Sequence, residues 1–167
     1  MRAYDPNLGA AKVAAPLPWG EPANRLVLRF AADPRLTYKL WIRLKADANS
    51  WANDSVWVQF FGATDLAGNP VYQANPASGL AVNLEECSGC SESGWGWEDD
   101  GWGAPNKNGV FLRFEFPDSY QHGITIQTRE DGVSIDQIVL SAEKYLTTRP
   151  GAPKKDATIL PSTQPAR

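Results

Sequence analysis

The chain has 167 residues, a length that suits one domain with a core large enough to fold independently. Its content of 43% hydrophobic and 21% charged residues is that of a globular protein and argues against wholesale disorder. A net charge of −3 argues against a protein that tracks nucleic-acid phosphates, and no apolar run approaches the roughly 20 residues of a membrane span.

Residues 1–24, rich in Ala, Pro and Gly, read as an irregular lead-in or a truncated first strand. The opening "MRAYDPNLGA" has one basic residue and no apolar run of the secretory kind. Of the two readings this leaves, an intracellular protein or a module of a longer exported chain, later features favour the second.

From Arg25 the pattern has period two. In "RLVLRF" Leu26, Leu28 and Phe30 alternate with Arg25, Val27 and Arg29. In "TYKLWIRLKA" Tyr38, Leu40, Ile42 and Leu44 oppose Lys39, Trp41, Arg43 and Lys45. "DSVWVQFF", "VFLRFEF", "GITIQT" and "VSIDQIVL" continue the alternation, with Gly, Pro, Asn and Asp between them and no amphipathic helix. The expected fold is all-β, a β-sandwich spanning residues 25–146. The connection from Gly62 to Asn108 is long, with short strands near Val71–Gln73 and Leu80–Leu84 at most, and long connections are usually functional or disordered. "REDG", Arg129 to Gly132, reads as a tight hairpin turn. Residues 147–167 have the Pro/Thr/Lys composition of an extended, mobile linker.

Within the long connection lies "SGWGWEDDGWG", which reads as an aromatic surface loop because acids are seldom buried unpaired. Its Trp95, Trp97 and Trp102 offer flat indoles for the C–H faces of sugars, and Glu98 and Asp99 offer acceptors for hydroxyls. Inward anchoring of one or two of these indoles is the plainer alternative. A second cluster, "NSWANDS", carries Trp51, Asn53 and Asp54, as a ligand contact or an ordinary turn. Trp41 and Trp57 sit inside strands and read as core or sheet-face packing.

The adjacent acids Glu98, Asp99 and Asp100 do not make the opposed carboxylate pair of a glycosidase, and no Ser/His/Asp set accompanies the single His122. Catalysis would require Glu85, Glu86, Glu130 or Asp136 to converge on the tryptophan loop. Asp136 stands alone in an apolar strand; an arginine partner such as Arg43 or Arg113, or a structural calcium ion, are its two explanations. Cys87 and Cys90, in "ECSGC", lack the strand-to-helix context of a redox pair and the further ligands of a zinc site. A short disulfide at the base of the tryptophan loop is preferred over two free thiols, and it fits an oxidising compartment.

"YKLWIRLKA", the loop tryptophans and "GITIQTREDGVSIDQIVL" together resemble non-catalytic carbohydrate-binding modules of the galactose-binding-like jelly-roll type, similar to families six and thirty-five and to malectin-like domains. The resemblance covers about residues 25–146. It implies a platform of Trp95 and Trp97 and a polar rim from Arg129, Glu130, Asp131 and Ser134. Relatives often carry asparagine where this chain has Ser134, and an E-x-E calcium pair that has no counterpart before the first strand here. The expected protein is a non-catalytic polysaccharide-binding module of a larger extracellular or cell-surface protein. Trp95, Trp97 and Trp102 would stack, and Asn53, Asp54, Glu98, Asp99 and Arg129 would recognise hydroxyls. Acids at the rim favour a neutral glycan over an anionic one, absent compensation by Arg129, Lys107 or a metal. An adhesion or protein-interaction domain using the same aromatic surface is the alternative; a glycan-active hydrolase or lyase is a weaker one.

Overall fold

The alternating stretches pair into two antiparallel sheets that pack as a β-sandwich in the computed structural model, which describes residues 12–18, 25–74, 78–85, 93–102, 110–115 and 122–153. In chain order the strands are β1 (Arg25–Phe30), β2 (Tyr38–Lys45), β3 (Ser55–Phe61), β4 (Ala63–Thr64), β5 (Leu80–Asn83), β6 (Trp95–Glu98), β7 (Phe111–Phe114), β8 (His122–Thr128) and β9 (Ser134–Ser141). One sheet has the order β1-β8-β3-β5. In the other, β2 pairs along one edge with β9 and along the opposite edge with β7 and β6, and β4 lies beyond β7. No helix among the described residues is long and apolar enough to cross a membrane.

The expected inward faces form the core. Leu40, Ile42 and Leu44 of β2 are buried together with Val56, Val58 and Phe60 of β3, Leu112 and Phe114 of β7, and Ile124 and Ile126 of β8. Phe114 is the aromatic hub: the rings of Phe30 and Tyr38 meet it edge-on with centroids 5.0 and 5.4 Å away, and the fully buried His122 lies 5.1 Å away.

Each outer face is partly covered by chain. Residues 12–18 cross the four-stranded sheet: Val13 donates to the Arg129 carbonyl (2.8 Å) and accepts from the Trp57 indole (2.8 Å). Leu17 exchanges two 2.9 Å bonds with the Gln127 amide. On the five-stranded sheet, residues after β9 lie over Trp41 and Trp97, whose indole N–H groups donate to the carbonyls of Tyr145 (2.7 Å) and Gly151 (2.9 Å). Within the expected mobile linker Pro150 is therefore buried and Gly151 tied down, because the Gly151 carbonyl satisfies an indole donor that would otherwise be buried unpaired, while 147–149 and 151–153 remain exposed. The remainder of that tail, 154–167, lies outside the described residues, as do residues 1–11, 19–24 and the Cys87–Cys90 pair.

Three expectations are corrected. The segment "WGWE" is a strand, β6, rather than a loop. Its glycine is what permits this: a Cβ on Gly96 would stand 2.5 Å from Leu84 Cδ1, so glycine occupies the side where a larger residue cannot fit. "REDG" is not a hairpin, since β8 and β9 belong to different sheets; residues 129–133 cross between them. Gly132, at φ 80°, is tucked against two short 3-10 turns, 47–49 and 51–53, and a Cβ there would lie 2.9 Å from Asp47 Cβ. Asp136 is exposed rather than buried. The β2–β9 register slips between Arg43 and Leu44, so that Gln137 faces Arg43, Ile135 faces Leu44 and Asp136 is the bulged residue, free to turn outward.

Candidate functional site

Ser50 begins the local architecture of the site. Its hydroxyl accepts from the Ala52 amide at 3.3 Å and closes the 3-10 turn that presents Trp51, 65% exposed, at the surface. The next residues, Asp54 and Ser55, enter β3 and are buried. On the neighbouring side the chain leaving β6 runs alongside edge strand β5, where the Asn83 amide donates to the Asp100 carbonyl at 3.1 Å. Gly101 allows that approach, since a Cβ there would stand 2.7 Å from the Ala81 carbonyl oxygen. Trp102 follows and is 61% exposed. The sheet-to-sheet crossing supplies Arg129 and Glu130, and the lead-in supplies Lys12.

These pieces enclose a cleft of about 510 Å³, within the size range of small-ligand sites, lined by Trp51, Tyr72, Trp102 and the strand β5, with Asp54, Glu85, Asp100, Lys12, Arg129 and Glu130 as its charged groups. Tyr72 holds φ at 50°, a left-handed conformation that costs a bulky residue energy and that tends to occur at functional sites.

Asp54 and Glu130 form a coupled pair at the floor. Glu130 Oε2 accepts from the Ser55 hydroxyl and, at 3.3 Å, from the Asp54 amide; Oε1 meets Lys12 Nζ at 3.0 Å and Arg129 Nη1 at 3.1 Å. Asp54 accepts from Asn83 Nδ2 (3.1 Å) and from the Glu85 amide (3.0 Å). Burial pushes the Asp54 carboxyl up to about 7; the Glu85 amide opposes this, while the hydrogen bond to Glu130 and the Glu130 charge add to it. Burial also acts to raise Glu130, but hydrogen bonds from Ser55, Asp54 and Lys12, with the Arg129 charge, outweigh it and hold Glu130 below the usual carboxylate range. Below about pH 7 the pair therefore carries one proton, on Asp54, and one negative charge, on Glu130. Burial raises the Tyr72 phenol, and the Asp100 charge adds to the effect.

No protein-family model, curated protein or solved structure matches the chain.

Of the residues singled out in the sequence, Trp51, Asp54, Glu85, Asp100, Trp102, Arg129 and Glu130 share this cleft. Glu85 and Glu130, two of the four acids weighed for catalysis, thus do meet Trp102 and Asp100 of the tryptophan segment. Asn53 does not line it; its amide donates to the Asp47 carbonyl at 3.3 Å, beneath Gly132. Trp95, Trp97, Glu98 and Asp99 belong to the other sheet. Trp97, at 8% exposure, has no open face for stacking, which corrects its expected role as platform. Trp95 is 39% exposed, with the Arg43 guanidinium 5.0 Å from its ring centroid. Glu98 meets Arg149 at 3.2 Å and Asp99 meets Lys39 at 2.9 Å, both acids buried and paired rather than offered to a ligand. Asp131 and Ser134 are half-buried and outside the cleft lining. Asp136 is ion-paired with Arg43, the arginine explanation of the two considered. Among the described residues no group of three or more His, Cys, Asp or Glu side chains is placed to hold a metal ion. A carboxylate facing a guanidinium does not fit the several-oxygen donor set of calcium.

Lys12, Tyr72 and Asn83 were not anticipated. Nothing in the lead-in marks Lys12, and Tyr72 sits in the stretch Val71–Gln73, read only as a short strand. Asn83, a polar residue closing the apolar run "LAV", was the one available hint.

Proposed function

We propose that this chain is a non-catalytic glycan-binding module, of the jelly-roll, galactose-binding-like kind and part of a larger exported protein, which holds a polysaccharide in the cleft between Trp51 and Trp102. The supporting observation is two indoles, each more than 60% exposed, on the rim of a cleft whose floor is polar and already ordered by hydrogen bonds. Indole faces stack on sugar C–H surfaces, and the carboxyl and amide groups between them accept and donate to hydroxyls. A rigid floor keeps the ordering cost of binding low, but few groups are desolvated, so single-site affinity should fall on the order of micromolar to millimolar.

The Asp54–Glu130 pair favours a second reading, a glycan-active hydrolase or lyase. Against it stands geometry. Retaining and inverting glycosidases hold their two carboxyls roughly 5–5.5 or 6.5–9.5 Å apart across the scissile bond, whereas these two are buried in mutual contact and saturated by Ser55, Asn83, Lys12 and Arg129. Such a pair orders the cleft rather than attacking a substrate.

Affinity electrophoresis on a panel of soluble polysaccharides, run beside a reducing-sugar assay, tests the proposal. Retardation on at least one polysaccharide without sugar release is expected, with Trp51→Ala and Trp102→Ala each weakening it on the order of tenfold. Sugar release abolished by Glu130→Gln would establish the enzymatic reading instead. Retardation on no polysaccharide, with a protein partner lost on Trp102→Ala, would make the cleft an adhesion surface.

A further inference from the structure

The charge of the cleft narrows the ligand. Four carboxyls line it, Asp54, Glu85, Asp100 and Glu130, against two cations, Lys12 and Arg129; with Asp54 holding its proton, three acids face two cations. Both cations are directed at one acid, since Lys12 Nζ and Arg129 Nη1 approach the same Glu130 oxygen at 3.0 and 3.1 Å. Arg129 is further held over the Trp57 ring, 5.4 Å from its centroid. Arg129 is thus held inside the floor, the half-exposed Lys12 is directed at the same acid, and the cleft as a whole keeps an acidic excess. Field lines concentrate in a concave, partly dry site, so the excess is felt by anything that enters.

The aromatic rim has the same polarity, because the faces of Trp51 and Trp102 carry the negative lobes of their quadrupoles. A neutral sugar would stack and donate its hydroxyls to the acids but would leave their excess charge uncompensated, and an anionic sugar would be repelled. A sugar bearing an ammonium group satisfies both elements: cation–π attraction to indole and a charge-assisted hydrogen bond to carboxylate. Of the four acids Glu85 is the least buried, which makes it the most accessible partner.

Resting on the glycan-binding reading, we propose that the preferred ligand is an amino-sugar polymer with free, protonated amines. Its ring faces stack on Trp51 and Trp102, and an ammonium group meets Glu85, with Asp100 adding to the local negative potential. This revises the neutral glycan suggested by the sequence.

Calorimetric titration of the whole chain with three six-sugar oligomers decides the matter: β-1,4-linked glucosamine, its fully N-acetylated counterpart, and the corresponding glucose chain. An oligolysine peptide of equal charge is the fourth probe. Measurements belong at about pH 5, because the electron-withdrawing oxygens around a sugar amine and its charged neighbours hold it well below the roughly 7.7–8.0 range of an α-amino group. The glucosamine chain should bind at least about tenfold tighter than either neutral chain, and the preference should shrink as salt rises. Glu85→Gln should reduce that preference about fivefold, with the melting temperature monitored on the same sample to show that the fold persists. Neutral chains binding as tightly as the amine chain would overturn the inference and leave the glycan-binding reading standing. Oligolysine binding as tightly as glucosamine would overturn both, since charge alone would then be recognised. Binding of none of the four here, with retention on a neutral polysaccharide in the electrophoretic panel, would overturn the inference alone; no glycan bound in either assay would remove the reading beneath it.

Discussion

Trp41 and Trp97 on the five-stranded sheet and Trp51 and Trp102 at the cleft are the same side chain under opposite conditions. The first two are buried, each with its indole N–H bonded to a carbonyl of the segment crossing above them. The second two stand next to turns and glycine, with no strand neighbour to cover them. The difference is made by the chain that passes overhead. Where an extended segment can both cover an indole and accept from its N–H, tryptophan becomes structure; where it cannot, the ring stays available. The acids follow the same division: Glu98 and Asp99 are paired to Arg149 and Lys39, while the cleft keeps more carboxyls than cations.

The comparison is broken most forcefully at Trp97. Trp97→Ala should cost roughly 3–5 kcal/mol of stability, as for a truncated core aromatic, whereas Trp102→Ala should cost less than about 0.5 kcal/mol. Chemical denaturation of both variants checks this; equal losses would mean that the two regions do not differ as described.

Next in size is the cleft floor. Glu130→Ala leaves Ser55, Lys12, Arg129 and the Asp54 proton without their shared acceptor, and should destabilise by about 2–3 kcal/mol, measured the same way. A change below about 0.5 kcal/mol would show that the floor does not hold the fold.

The pH dependence of stability sharpens the contrast further. Asp54 moves from an ordinary value of 3.8 to about 7 on folding, so between these values the folded chain binds a proton that the unfolded chain has lost. Stability should therefore fall as pH rises across that interval, by up to about 1.4 kcal/mol per pH unit, and flatten above it. Glu130 acts oppositely: its depressed carboxyl contributes stability above the usual glutamate range that is lost on acidification. Melting curves from about pH 4 to 8 should show the decline in the parent chain and not in Asp54→Asn.

How much of this was legible depended on whether the signal was local. Strands β1, β2, β3, β7, β8 and β9 were read from alternation, because basic residues such as Arg29, Lys39 and Arg43 interrupt the apolar positions at period two. β6 has the same period, but Gly96 stands where an apolar residue would have announced it. In β9 the inward residues are Ile135, Ile138 and Leu140, a slip in phase that revealed the bulge only once β2 was beside it. Gly132 marked a turn correctly yet carried no information on which sheet the next strand joins. Seven cleft residues, Glu85 and Asp100 among them, were named from their chemistry. Their grouping was not, since Asp54 and Glu130 are 76 positions apart and meet only through that crossing between sheets.

The smallest effect belongs to the covered sheet's exposed ion pair. Asp136→Ala removes a surface partner of Arg43 and should change stability by less than about 1 kcal/mol, with the melting temperature indifferent to chelator in parent and variant alike. A chelator-sensitive parent would assign Asp136 to a metal after all.

Tyr72 links the cleft wall to the core. Its backbone sits where glycine or asparagine would rest more easily, and its carbonyl is fixed there by the Phe60 amide at 2.8 Å, so the conformation is imposed on whatever residue occupies the position. The same ring packs against the hydrophobic core and forms part of the cleft wall, so a smaller residue would ease the backbone while removing both contacts. Position 72 therefore ties the shape of the cleft to the packing of the sandwich beneath it.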